Sequence, residues 1–141
     1  MKTAVAFLTT ILNSLDKDDW WYLKQVMKYI KDILGVKMNL REDSLSVINL
    51  WVNAPFSTHN YFRGHTGVMM YLGAGSIISG SWKHNISGQS STDNKLVGVD
   101  DIMVPVLWTL YFIQVQGYTV ESNIIFQDNH STMQLILNGK K

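Results

Sequence analysis

Residues 47–82 read VINLWVNAPFSTHNYFRGHTGVMMYLGAGSIISGSW. Val47 to Asn53 is β-branched and aromatic, and it reads as a central strand. Thr66 to Leu72 and Ser76 to Trp82 read as two more strands, and Gly73-Ala74-Gly75 between them is a hairpin signal. Residues 54–65, with Pro55, Asn60 and Gly64, form a polar loop after the first strand.

Working outward toward the C-terminus, residues 83–90 are a polar connection. Ser91-Thr92-Asp93 then opens a long helix in which Leu96, Val99, Met103, Val106, Leu110 and Ile113 keep helical spacing. Pro105 is expected to kink it and Gly117 to end it. Asn123 to Gln127 reads as a short strand and Asn129 to Leu137 as a last helix. Toward the N-terminus, Trp20, Leu23, Met27, Ile30 and Leu34 line one stripe of a helix over 16–34. Asp16, Asp18 and Asp19 stand at its positive end, and Gly35 follows as a C′ residue. Lys24, Lys28 and Lys31 form a solvated face, with contact to a phosphate backbone as the functional alternative. Val36, Met38 and Leu40 alternate with polar residues as in a half-exposed strand, followed by a turn at Glu42-Asp43-Ser44.

Composition bounds what this order can do. The 141 residues amount to one domain's length, and the absence of cysteine excludes disulfides, thiolate metal sites and cysteine nucleophiles. Hydrophobic residues make up 46% and charged ones 16%, with a net charge of +1, so bulk charge advertises no nucleic acid or anionic membrane. Five tryptophans call for burial, with Trp51 and Trp108 as core residues, and a surface so poor in charge suggests a piece that rests against something else. The run MKTAVAFLTTIL lacks a small-residue cleavage site, so secretion is not expected and the protein reads as intracellular, cytoplasmic or nuclear. The stretch Ile102 to Val115 falls short of the ~20 residues of a membrane span, so no membrane partner is expected.

Three antiparallel strands, a helix, a parallel strand and a helix is the ribonuclease H scheme, and particular residues make the likeness specific. Thr3 to Thr10 is followed by a helix carrying Asp16, Trp20 or Trp21, Leu23, Lys24, Tyr29 and Lys31. Trp51-Val52-Asn53-Ala54-Pro55-Phe56 is similar to a W-V-D-A-S-F strand, and His65-Thr66-Gly67-Val68 to an S-x-T-G-x-V hairpin. Gly73 to Ile77, Ser90 to Leu96, Leu107-Trp108 through Gln116-Gly117-Tyr118, and Gln127 to Thr132 match further motifs in order. Over essentially its whole length the chain resembles the C-terminal end of copia-type retrotransposon polyproteins, where a reverse transcriptase tail runs into an RNase H domain. The resemblance implies an α/β fold with an RNase H-like mixed sheet flanked by helices and lacking its last element. It also implies a polymerase remnant (helix plus strand) at 1–42 and a truncated RNase H-like domain at 43–141.

Such enzymes cut RNA in RNA/DNA hybrids with two Mg²⁺ ions held ~3.5–4 Å apart by carboxylates. Of the three carboxylate positions that the resemblance places in this chain, only Asp128 matches; the first-strand position is Asn53 and the helix position Lys95. The formal charge of that set falls from −3 to 0, so Mg²⁺, the family's cofactor, is not expected to be held, and Asp128 alone is a lost metal ligand. Asp93 lies ~200° around the helix from Lys95 and does not replace it; Asp100 and Asp101 are also off its face. The Lys95 ammonium is expected to stand in for the metal as a salt bridge to Asp128, with solvent exposure of the ammonium as the alternative.

The resemblance puts Lys83, Ser91, Asn129 and His130 on the substrate side, and the remainder of a polymerase polypeptide as a partner. The basic run facing a hybrid has thinned to Lys83. Residues 1–42 hold seven basic and five acidic residues (+2), and residues 43–141 hold five and six (−1). Phosphate attraction is correspondingly weak. His59, His65, His84 and His130 match no zinc spacing; His65 and His84 read as loop or strand-edge residues, and His130 as a cleft candidate. Gly73-x-Gly75 joins two strands and is no phosphate loop. Ser90, Ser91 and Thr92 read as a helix cap. Three functions are thus expected to compete: an inactive polyprotein fragment, an active or partnered RNase H, and a co-opted nucleic-acid or protein binding module.

Overall fold

A computed structural model describes residues 2–12, 15–41, 43 and 45–139. Its elements are helices α1 (Lys2–Thr10) and α2 (Lys17–Asp32), strands β1 (Val47–Asn53), β2 (Arg63–Tyr71) and β3 (Ser76–Ser87), helix α3 (Ser91–Val115), strand β4 (Ser122–Phe126) and helix α4 (His130–Asn138). The sheet order is β3-β2-β1-β4. β1 pairs antiparallel with β2, with Val52 opposite Val68, and parallel with β4, with Trp51 opposite Phe126. This is an α/β fold with a four-stranded mixed sheet flanked by helices, compatible with an RNase H-like sheet.

Alternation along the strands divides the sheet into two faces. Ile48, Leu50 and Val52 of β1 and Val68 and Met70 of β2 face α3, where they meet Val99, Ile102, Val106 and Ile113 in the core. The helical stripe read from the sequence is thereby rotated. Val99, Val106 and Ile113 are buried as expected, but Gly98, Ile102 and Thr109 share the buried face, while Leu96, Met103 and Leu110 lie half-buried at its margins. A Cβ on Gly98 would stand 3.0 Å from that of Ala54, so glycine lets the helix approach the end of β1 closely. Helix α3 runs through Pro105 as one element. Gly117, at φ 88°, ends it, with Tyr118 N–H bonding Ile113 O and Gly117 N–H bonding Gln114 O.

Several expectations are corrected. Trp51 is 54% and Trp108 63% exposed, so neither is core. Trp51 points to the sheet face opposite α3, and Trp108 lies on the helix flank turned from the sheet, stacked on Phe112 at 5.4 Å. Residues 36–40 form no strand. They run past the hairpin, where Asn39 O would lie 2.4 Å from a Cβ on Gly75, and the chain is tied there by Ala74 N–H to Arg41 O at 2.8 Å. Of the turn read at Glu42-Asp43-Ser44, only Asp43 lies within the described residues. Both hairpin strands are longer than read: β2 begins at Arg63 and β3 reaches Ser87.

α1 lies against β3 on the face opposite α3, and α4 packs on α3. α2 begins with an Asp16/Asp19 capping box and buries none of its residues, leaving Trp20 and Met27 exposed. It ends at Asp32 with Ile33 as C-cap, so Gly35 falls beyond the C′ position. By length and composition α3 is apolar enough to cross a membrane, longer than the Ile102–Val115 run suggested, yet one face of it is the wall of this core.

Candidate functional site

The parallel register of β1 and β4 builds the site. Trp51 pairs with Phe126, so two residues further on Asn53, the last residue of β1, stands beside Asp128, just past the end of β4. α3 crosses above them with Lys95 in its second turn. Lys95 is only 7% exposed, and its ammonium donates to Asn53 Oδ1 at 3.2 Å and to the Asp128 carboxylate. The expected ion pair is therefore present, and the solvent-exposed alternative for Lys95 is overturned.

The pair is lopsided, because the Asp128 side chain is 69% exposed against 9% for that of Lys95. A buried ammonium is tolerable only if paired and hydrogen-bonded, and here both acceptors meet that need. The hydrogen bond from Lys95 is the main reason the Asp128 carboxyl is held below its ordinary value; partial burial opposes it. Gln127 Oε1 accepts the Asp128 N–H at 2.9 Å and so shapes the turn leading to α4.

The other candidates are distributed unevenly. Ser91 lies one turn before Lys95, exposed on the same helix flank. Asn129 caps α4, its side chain accepting the Thr132 N–H at 2.8 Å, so its amide oxygen is engaged. His130 is exposed in the first turn of α4. Lys83 stands on β3, two strands from β1, and is not brought to Asp128. Ser90 is the N-cap of α3, accepting the Asp93 N–H at 3.1 Å, in line with the capping reading.

A groove of about 720 Å³ runs from Asn53 and Asp128 across the sheet face opposite α3. Its ridge is the Trp51 and Phe126 pair, stacked at 4.4 Å and 12°, and Lys2 and Thr3 of α1 form its far wall.

Two polar networks are not foreseen in the sequence. His65 and His84 are each 2% exposed, so they are interior residues of β2 and β3, not loop or strand-edge ones. Facing α3, Trp82 Nε1–H and the Thr66 hydroxyl both donate to Asp101 Oδ2, at 2.9 and 3.2 Å. The Thr66 proton is thus used, so Thr66 Oγ1 accepts from His84 Nε2–H at 2.5 Å. Gly64 is required here, since a Cβ would come within 2.9 Å of both His84 and Asn94. On the opposite face, His59 Nε2 meets His65 Nδ1 at 2.8 Å, and His65 Nε2 meets Ser81 Oγ at 2.8 Å. Extending β2 and β3 by the residues beside the read strands would have placed both histidines inside. No family model, curated protein or solved structure matches the chain.

Proposed function

We propose that the chain is a fragment of a copia-type retrotransposon polyprotein, with a reverse transcriptase tail in 1–42 and an RNase H-like domain in 43–141 that is catalytically inactive. The observation carrying this reading is the buried Lys95 ammonium held between Asn53 Oδ1 and the Asp128 carboxylate. These three residues occupy the positions where the resemblance expects three carboxylates.

The donor set does not fit Mg²⁺. A hard divalent cation needs anionic oxygens, whereas one carboxylate here is already neutralised by an ammonium and the amide oxygen accepts from the same group. No hydrolytic step is therefore derived through a metal at this site. The groove bordered by Trp51 and Phe126 favours a second reading, a co-opted binding module that retains RNA/DNA hybrid or a protein without cutting.

Incubating the chain with a labelled RNA/DNA hybrid in Mg²⁺ or Mn²⁺, beside Asp128→Ala and the pair Asn53→Asp with Lys95→Glu, tests this. The unmodified chain is expected to leave the hybrid intact. Cleavage that disappears in Asp128→Ala would falsify the inactive reading. Retention of uncut hybrid that weakens steeply with salt would move the assignment to the binding module.

A further inference from the structure

Hydrogen-bond directions fix the protonation of the histidine pair on the open sheet face. The Thr10 hydroxyl donates to Phe7 O at 2.7 Å, so toward His59 Nδ1, 3.3 Å away, it can only accept. His59 therefore carries its proton on Nδ1 and presents a bare Nε2 to His65. That bare nitrogen requires His65 to be protonated on Nδ1, and His65 Nε2 then accepts the Ser81 hydroxyl proton. The chain Ser81 to His65 to His59 to Thr10 to Phe7 O is complete with both rings neutral, and it ties α1 to the sheet. The Phe7 ring reinforces it, stacked on His59 at 5.1 Å and 27°.

An added proton breaks this order. A second N–H on His59 would point at the N–H of His65, 2.8 Å from nitrogen to nitrogen. Moving the His65 proton to Nε2 relieves that clash only by turning the Ser81 hydroxyl away from its acceptor. Either way a cation is placed beside a residue 2% exposed.

Among the described residues the surroundings offer it no anion. Lys83 on β3 and His84 on the opposite sheet face both oppose positive charge at His59. Tyr22 is the titratable group that α2 brings to the cavity of about 470 Å³ between α1, α2 and His65. Asp101 faces α3 and is engaged by Thr66 and Trp82. No carboxylate bonds either ring among the described residues. Burial, His65, Lys83 and His84 accordingly push His59 down to about 4.

The loop bearing His59 is also under backbone tension, with Ser57, Tyr61 and Phe62 at φ 54°, 62° and 56°. Non-glycine residues reach that region at a cost of order 1 kcal/mol each, so they need tertiary contacts to hold them.

We propose that α1 is an acid-released strap: protonation of the His59–His65 pair frees it from β2 and β3 and opens the Trp51/Phe126 groove, whose wall it forms. This does not depend on the retrotransposon assignment.

Amide hydrogen exchange on the full chain, corrected for intrinsic rates, at pH 7.5 and 5.0 tests it. Exchange over 2–10 is expected to rise at least tenfold at pH 5.0 while Leu50 and Val68 stay protected. His59→Gln, a neutral amide able to donate to Thr10 and accept from His65, is expected to cut the rise below threefold. Lys83→Met, which removes a cation opposing charge at His59, is expected to make the rise smaller and serves if His59→Gln does not fold. Equal α1 exchange at the two pH values, α1 amides exchanging no faster than those of Leu50 and Val68, an undiminished response in folded His59→Gln, or an undiminished rise in Lys83→Met would each overturn the proposal.

Discussion

Lys95 and Asp128 share an ion pair but carry unequal consequences. Asp128→Ala leaves a buried ammonium with one amide partner and is expected to cost about 2 kcal/mol, discounted from the usual buried-pair penalty because the carboxylate is solvated. Lys95→Met leaves an exposed carboxylate that water satisfies, at an expected cost under about 1 kcal/mol; urea unfolding of both variants checks the asymmetry. Since the Asp128 carboxyl lies below its ordinary value of 3.8, its contribution is complete above that pH and fades only as pH falls through the lowered value. His59 acts in a different window. Its folded value of about 4 lies below the ordinary 6.5, so the stability it secures is full above 6.5 and is lost as pH falls toward 4. Urea midpoints of the wild type should therefore decline between pH 6.5 and 4, and His59→Gln should remove that part of the decline; identical profiles would contradict it. Of these residues, Asn53, Lys95 and Asp128 were legible through the resemblance, including the ion pair. His65 and His84 were not, because their burial depends on how far β2 and β3 extend and on what covers each face.

At the scale of elements, spacing located α2, β1, α3, β4 and α4 to within a few residues, since apolar period and capping groups are local signals. Which face of α3 meets the sheet was less legible, because nearly every face of that helix is apolar. Ile102→Ala is expected to lose about 2–4 kcal/mol, being 1% exposed in the core, while Val104→Ala, at 74% exposed, should stay within about 0.5 kcal/mol. Thermal or urea melts of the two variants distinguish the rotated stripe from one centred on Met103. The segment 36–40 shows the opposite failure. Its alternation has the strand period, but strand formation needs a free edge to pair with, and this segment instead passes over the hairpin turn at Gly75. Trp51 and Trp108 were read as core from residue type alone; each found a stacking partner on an uncovered face, Phe126 and Phe112.

Across the whole molecule, stability is concentrated where β1, β2 and α3 meet, and thins toward the N-terminal helices. Native-state hydrogen exchange at pH 7.5 should find the slowest amides in β1 and β2 and the fastest helical amides in α2, which buries no residue; a protected α2 would contradict the layering. Low charge and abundant aromatics raised the expectation of a surface that rests against something; Val104, Leu107, Trp108 and Tyr111 form an exposed apolar stripe on α3. The sequence by itself determined the order of most elements, the lack of cysteine chemistry and the residue types at positions 53, 95 and 128, because periodicity, composition and residue identity are properties of the chain. Only the tertiary structure decided that Lys95 is buried between Asn53 and Asp128, that α1 closes on the sheet through His59 and His65, and which aromatics stay in solvent. Those outcomes depend on strand register and on which face each helix covers, and both are settled by contacts between residues far apart in the chain.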